Sequence, residues 1–208
     1  LVTAILDEVH GVGNRALIVT DVASTKAAIC GHAAATWAAP RRFVGSHPMA
    51  GGEKFGPEHG CAGLYEGTVC LVEESPDLDP AARAAVCRLW ESVGAQIVSV
   101  RPEEHDPVLA RTSHLPHVVA SAVAALAAEG GASHLFVGNG FRDLTRIADS
   151  RPEVWRDICL TNRTALLESL AALDARLHGL AAALGAGDAR RLDAFFEEGR
   201  EGRRKVIE

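Results

Sequence analysis

A chain of 208 residues, 48% apolar and 23% charged, has the length for one large or two small domains and the composition of a soluble globular protein. Its 21 basic and 27 acidic residues leave a formal charge of −6. That argues against nucleic acid or anionic membrane as the main partner, because both need a clustered basic surface. The five cysteines (30, 61, 70, 87, 159) form no C-x-x-C pair and fit a reducing cytoplasm. The longest apolar run, residues 118–128, falls short of the roughly 20 residues that span a bilayer.

The chain opens on leucine inside a helical stretch, LVTAILDEVH, so its natural N-terminus is expected upstream. GVGNRA (11–16) fits the loose dinucleotide pattern G-x-G-x-x-A. However, a helix precedes it and a strand follows, the reverse of the order that brings a helix N-terminus to a pyrophosphate. It reads as a helix end and turn. Runs at 16–21, 42–47, 68–74 and 95–100 read as strands, with helices at 25–38 and 79–94 between them. Asp79 is the expected N-cap of the second helix, Pro80 its first residue and Gly94 its stop. The alternation predicts a mostly parallel sheet with right-handed crossovers, and the nearly unbroken apolar runs predict strands covered on both faces.

After residue 100 no strand pattern remains. Residues 101–130 read as one long helix ending at Gly130, and a glycine-bearing loop, VGNGFRDLTRIA (137–148), follows. A helix opened by a capping box, Ser150 with Glu153, comes next, and a last helix starts near Asp188. The C-terminal REGRRKVIE interleaves its basic residues with glutamates and reads as a solvated tail. The expected organisation is an α/β part (1–100) followed by an all-helical part (101–208).

Ligands of open α/β sheets sit at the carboxyl ends of the strands. TDVASTK (20–26) puts Asp21, Ser24 and Lys26 there, and GSHP (45–48) puts His47 there. Pro48 biases His47 toward an extended backbone. Ser24 reads equally as a helix N-cap, and His47 alone equally as a turn histidine. SHLPH sets His114 and His117 on one helix face, with Asp106 and Glu104 nearby. Pro116 between them and the lack of a third ligand at familiar spacing speak against a metal. A substrate-facing pair, or one core histidine and one functional one, fits better. Arg142 and Arg146 follow the glycine loop, and a guanidinium fork suits a carboxylate; the alternative is a surface pair satisfied by Asp143 and Asp149.

In order along the chain, TDVASTK, GSHPMAGGEKFG, LYEGTVCLV, SHLPHVVA and GNGFRDLTRIADSRPEVWRDI resemble the prephenate dehydrogenase family of tyrosine biosynthesis, from about residue 15 to 165. The resemblance implies the C-terminal part of a Rossmann-type dinucleotide-binding domain in residues 1–100. It implies that residues 101–208 form a helical dimerisation domain like the C-terminal domain of 6-phosphogluconate dehydrogenase. The implied reaction is oxidative decarboxylation of prephenate to 4-hydroxyphenylpyruvate and CO2 with NAD or NADP. The alternatives are arogenate as substrate, or a non-catalytic helical dimerisation module in this truncated form. The resemblance also assigns roles. His47 would accept the proton of the substrate's ring hydroxyl as hydride leaves C4, and Ser24 would bond that hydroxyl. His117 and Arg146 would bind the carboxylate-bearing side chain, Asn139 and Trp155 would line the pocket, and Asp21 and Ser24 would meet the cofactor. No metal is implied. The family's G-x-G-x-x-G turn has no counterpart, so the pyrophosphate half of the cofactor site is expected before residue 1, leaving the fragment impaired. Residue 52 is glycine where the family usually has serine or threonine.

Overall fold

Helix α1 (Val2–Gly11) leads into a turn at Gly13, whose φ of +71° only glycine adopts freely, and then strand β1 (Val19–Thr20). Gly11 and Gly13 of GVGNRA therefore belong to a helix end and turn, in helix-to-strand order. Helix α2 (Ala27–Thr36), β2 (Phe43–Val44), β3 (Ser46–Pro48), β4 (Val69–Glu73), α3 (Pro80–Ser92) and β5 (Gln96–Val100) follow. The computed structural model describes residues 2–14, 16–51, 56–131 and 133–207. They divide into two compact units, one ending at Leu166 and the other beginning at Leu167.

Two apolar clusters hold the α/β part. Leu6, Ile29, Cys30, Ala33 and Phe43 pack where α1 and α2 meet β2. Val44, Cys70, Val72, Leu78, Ala82, Val86 and Trp90 pack α3 against the strands. Asp79 caps α3 as expected, accepting from the Ala81 and Ala82 amides at 2.8 and 3.1 Å. Gly94, at φ +88°, turns the chain out of the helix.

The single strand expected over 42–47 is two. β1 and β2 pair in parallel, as do β4 and β5, but β3 runs antiparallel to β4. The break falls at Gly45. Its N–H donates to Glu73 Oε2 at 2.9 Å instead of to a strand, and Glu73 is held in turn by Arg41 at 2.6 Å. A Cβ on Gly45 would lie 2.6 Å from Cys30 Sγ, so only glycine lets the strand pass this close to α2. β5 also departs from expectation. It is an edge strand, and Val98 is exposed, because none of the described residues of the unit covers its outer face.

The helical elements are α4 (Pro102–Leu109), α5 (Leu115–Glu129), α6 (Asn139–Thr145), α7 (Pro152–Thr161), α8 (Arg163–Ala186) and α9 (Ala189–Ile207). The predicted long helix over 101–130 ends at Gly130 but is interrupted by a π-helical turn, Ala110–His114. There the Leu115 amide reaches back five residues to the Ala110 carbonyl. Pro116, with no N–H and a ring that crowds the preceding turn, favours this widened register. The capping box is absent. Pro152 sets the helix start one residue late, Arg151 takes the N-cap position, and the Ser150 hydroxyl donates to the Ile147 carbonyl. Asn162 separates α7 from α8.

In the second unit, Arg176 and Glu198 pair at 3.2 Å, and Leu177, Leu184 and Phe196 are exposed. No helix among the described residues is long and apolar enough to cross a membrane.

Candidate active site

A cavity of about 450 Å³ lies between the α/β part and the helices of the first unit. Ser24 and His47 line it from one side and Ser113, His117, Arg146 and Trp155 from the other.

The loop that carries Ser24 is fixed by two carboxylates. Asp21 accepts from the Ser46 amide (3.0 Å), the Ala23 amide (3.1 Å) and the buried Lys26 ammonium. Asp106, reaching across from α4, accepts from the Lys26 and Ala27 amides at 2.8 and 3.1 Å and so caps α2. Asp21, expected to meet the cofactor, spends its carboxylate inside the fold as a strut of the loop and is 8% exposed. Ser24 is not the N-cap of α2, and its hydroxyl makes no hydrogen bond among the described residues; it stands at the cavity wall with its bonding capacity available.

His47 sits on β3, 8% exposed. Its neighbour Ser46 accepts from Trp90 Nε1 at 3.0 Å and donates to the Asp21 carbonyl, which pins the strand beside the Ser24 loop. Burial, helped by the neighbouring His105, Lys26 and His114 and opposed by Asp106, pushes the His47 pKa down to about 3. The ring is neutral at physiological pH.

His114 and His117 divide as core and cavity residues. His114 is 1% exposed, and its Nδ1 accepts from the Asn162 amide at 3.0 Å. Its Nε2 faces the Ser24 backbone without a well-formed hydrogen bond. Burial lowers its pKa to about 4. His117 donates from Nδ1 to the Ser113 carbonyl at 3.0 Å and stacks on Trp155, ring centroids 3.6 Å apart. Burial also lowers its pKa, against the Ser113 carbonyl. The π-helical turn is what brings Ser113 and His114 to this wall.

Arg146 is exposed at the cavity mouth, at the start of a 3-10 turn after α6. Arg142 does not line the cavity, and Asn139, expected in the pocket, is exposed at the first residue of α6 and outside the lining. Glu104 pairs with Arg101 at the surface. Among the described residues no group of three or more His, Cys, Asp or Glu is placed to hold a metal ion. Gly52 lies outside the described residues. Sequence reasoning missed Arg151, which also lines the cavity, and His105, which contacts His47. The Asp-His pairing at 105–106 carries no spacing signal toward residue 47.

The buried neutral histidines make stability depend on pH. In the unfolded chain His47 and His114 protonate near 6.5, but in the fold only near 3 and 4. Between these limits the unfolded chain binds more protons, so stability falls as pH drops through 6.5 and levels off near pH 3 to 4. Urea unfolding at pH 7 and pH 5, followed by tryptophan fluorescence, is expected to show a loss of about 3 kcal/mol from this pair. Trp37, Trp90 and Trp155 all report on the first unit. An unchanged midpoint would mean the two rings are not buried neutral.

Residues 1–99 match the family described as "Prephenate dehydrogenase, nucleotide-binding domain", and residues 101–198 the one described as "Prephenate dehydrogenase, dimerization domain". The chain is 35% identical over 156 residues to the prephenate dehydrogenase of Bacillus subtilis, covering 73% of this chain and 42% of that protein. It is 35% identical over 166 residues to the cyclohexadienyl dehydrogenase of Zymomonas mobilis, covering 77% and 57%. The crystal structure of prephenate dehydrogenase from Aquifex aeolicus, in complex with hydroxyphenyl propionate and NAD+, superposes with a TM-score of 0.79 at 32% identity, covering 90% of this chain and 66% of that one. The chain spans about half the length of the curated relatives it matches.

Proposed function

This chain belongs to the prephenate dehydrogenase family, and from that premise we propose that its cavity takes prephenate beside NAD for oxidative decarboxylation to 4-hydroxyphenylpyruvate and CO2. The observation that carries the reading is the convergence of Ser24 and His47 with His117, Arg146 and Trp155 on one cavity of about 450 Å³. Residues 1–100 then belong to the nucleotide-binding domain and 101–208 to the helical dimerisation domain. The exposed Leu177, Leu184 and Phe196 of the second unit support a homodimer formed there. Five free cysteines suit a reducing cytoplasm.

The parts of the site fit the nicotinamide end of NAD. β1 and β2 run in parallel, and the loop bearing Ser24 and the strand bearing His47 follow their carboxyl ends, where a dinucleotide binds in such sheets. The sequence of residues 1–208 holds no G-x-G-x-x-G pattern. NAD, when bound, supplies the hydride acceptor.

The chain's own residues handle the hydroxyl, the proton and the charge. Ser24 bonds the C4 hydroxyl and His47 Nε2 takes its proton as hydride leaves C4. Loss of CO2 from C1 makes the ring aromatic, and the proton returns from His47 to the phenolate oxygen. Burial keeps the His47 ring neutral and able to accept, and a hydroxyl whose carbon is losing hydride becomes strongly acidic, so a weak base can take its proton. Arg146 carries a fixed charge for the dianion, and His117, its Nδ1–H held by the Ser113 carbonyl and its ring by Trp155, bonds a carboxylate through Nε2–H once the incoming negative charge draws a second proton onto the ring.

NADH formation, measured with prephenate and in parallel with arogenate on protein carrying a complete dinucleotide-binding domain, tests the reading. Turnover of prephenate with release of CO2 is expected. Turnover of arogenate alone would reassign the substrate, and no NADH from either would overturn the reading.

A further inference from the structure

His47 does not stand alone behind the cavity. Its Nδ1 lies 2.9 Å from Nε2 of His105, and Nδ1 of His105 lies 2.7 Å from Oδ1 of Asp106. The three residues form one line running from the cavity wall into the interior. His105 is fully buried and Asp106 nearly so. Neither lines the cavity.

The protons on this line can be placed. Asp106 already accepts from two backbone amides at the start of α2, which only an ionised carboxylate does well. Burial alone would raise its pKa, but the His105 ring and those amides hold it below the usual range. The 2.7 Å contact is therefore His105 Nδ1–H donating to Asp106. A neutral His105 then has a bare Nε2, which must accept, so His47 donates to it from Nδ1. The one proton of a neutral His47 is thereby placed on Nδ1, and its Nε2 is left with a lone pair. That nitrogen makes no hydrogen bond among the described residues, and the ring it belongs to forms part of the cavity wall.

We infer that Asp106 and His105 are positioning residues that hold His47 in the Nδ1–H tautomer, presenting Nε2 to the cavity as a proton acceptor. A free histidine side chain in water favours the opposite tautomer, with hydrogen on Nε2. Without the line, the ring would offer a donor where the reaction needs an acceptor. The line also has a second effect. When His47 takes up a proton, its Nδ1–H bond to His105 becomes charge-assisted, and the Asp106 carboxylate lies beyond it to offset the new charge. Among the described residues the other charged or titratable groups around His47 are Lys26 and His114, which both disfavour its protonation, and Cys70 of β4, whose thiol lies against the His47 backbone. The alternative proton arrangement, a His105 imidazolium donating to His47, would set a further buried cation beside Lys26 and leave hydrogen on His47 Nε2.

The catalytic consequence rests on the proposed role of His47 as base, but the tautomer does not, so the two are tested separately. Long-range 15N–1H spectra of the histidine side chains in this chain at pH 7 are expected to show both His47 and His105 protonated on Nδ1 only. A His47 ring carrying its proton on Nε2, or a His105 imidazolium, overturns the inference whatever the protein catalyses. In protein with a complete dinucleotide-binding domain, His105→Leu is expected to lower kcat about 10²-fold with KM changed less than about threefold, and to shift the acid limb of the pH profile. His105→Gln, whose amide oxygen can accept from His47 Nδ1–H, is expected to recover at least about tenfold of that loss. Equal losses in both variants with an unmoved pH limb would mean His105 only fills space. Should His105→Leu fail to fold, the spectra of the unsubstituted chain and the Gln variant still decide.

Discussion

His47→Asn is expected to reduce turnover of prephenate about 10³-fold while leaving KM within about threefold. Asparagine is smaller than histidine and its amide nitrogen can still donate toward His105, so β3 keeps its pairing with β4 and Ser46 its bonds to Trp90 and Asp21. What disappears is the lone pair at the cavity. An amide oxygen accepts a hydrogen bond but does not take a proton in water near neutral pH, so the ring hydroxyl would have to release its proton to solvent. The contacts proposed to hold the substrate, from Ser24 and Arg146 at the cavity wall, would stay in place, which is why affinity should hardly change. Steady-state and single-turnover kinetics on protein with a complete dinucleotide-binding domain separate chemistry from release. Near-normal single-turnover rates would remove His47 from the role of base.

Arg146→Ala should have the opposite signature, with KM raised about 30-fold and kcat little changed. A charge-assisted bidentate bond to a carboxylate contributes about 2 kcal/mol, and it is present in substrate and transition state alike, so its loss is uniform. Arg146 is exposed at the mouth, where water screens it, and Arg151 lines the same cavity; both facts cap the effect. Arg146→Lys should recover only part of the loss, because an ammonium cannot make two parallel bonds to one carboxylate. An unchanged KM in the alanine variant would withdraw the assignment.

Much of this architecture was legible because local chemistry dictated it. Asp79 before Pro80, Gly94 at a left-handed turn and the helix-to-strand order around GVGNRA each follow from what one or two residues permit. The cavity residues Ser24, His47, His117, Arg146 and Trp155 were legible together only through family resemblance, since they come from loops and helices that the fold alone brings to one place. Most of the features that escaped prediction depend on distant partners. The strand over 42–47 splits because Gly45 must pass Cys30 and give its N–H to Glu73, neither of which is near it in sequence. The helix over 101–130 widens at Ala110–His114, a shift that helical periodicity does not encode. Asp21 turned inward because Ser46 and Lys26 both claim it. Asp106 looked like a possible metal ligand and instead caps a helix 79 residues away in sequence.

The antiparallel turn of β3 after Gly45 has a consequence for how this protein can change over time. Successive residues of a strand face opposite sides, so Ser46 points toward Trp90 while His47 points toward the cavity. Inserting or deleting one residue between Gly45 and Pro48 would exchange them, driving an imidazole against the indole and leaving a hydroxyl where the base belongs. A change in the length of this short segment would have to come in pairs. The segment acts as a ruler: its residue count, as much as its chemistry, is what inheritance must preserve.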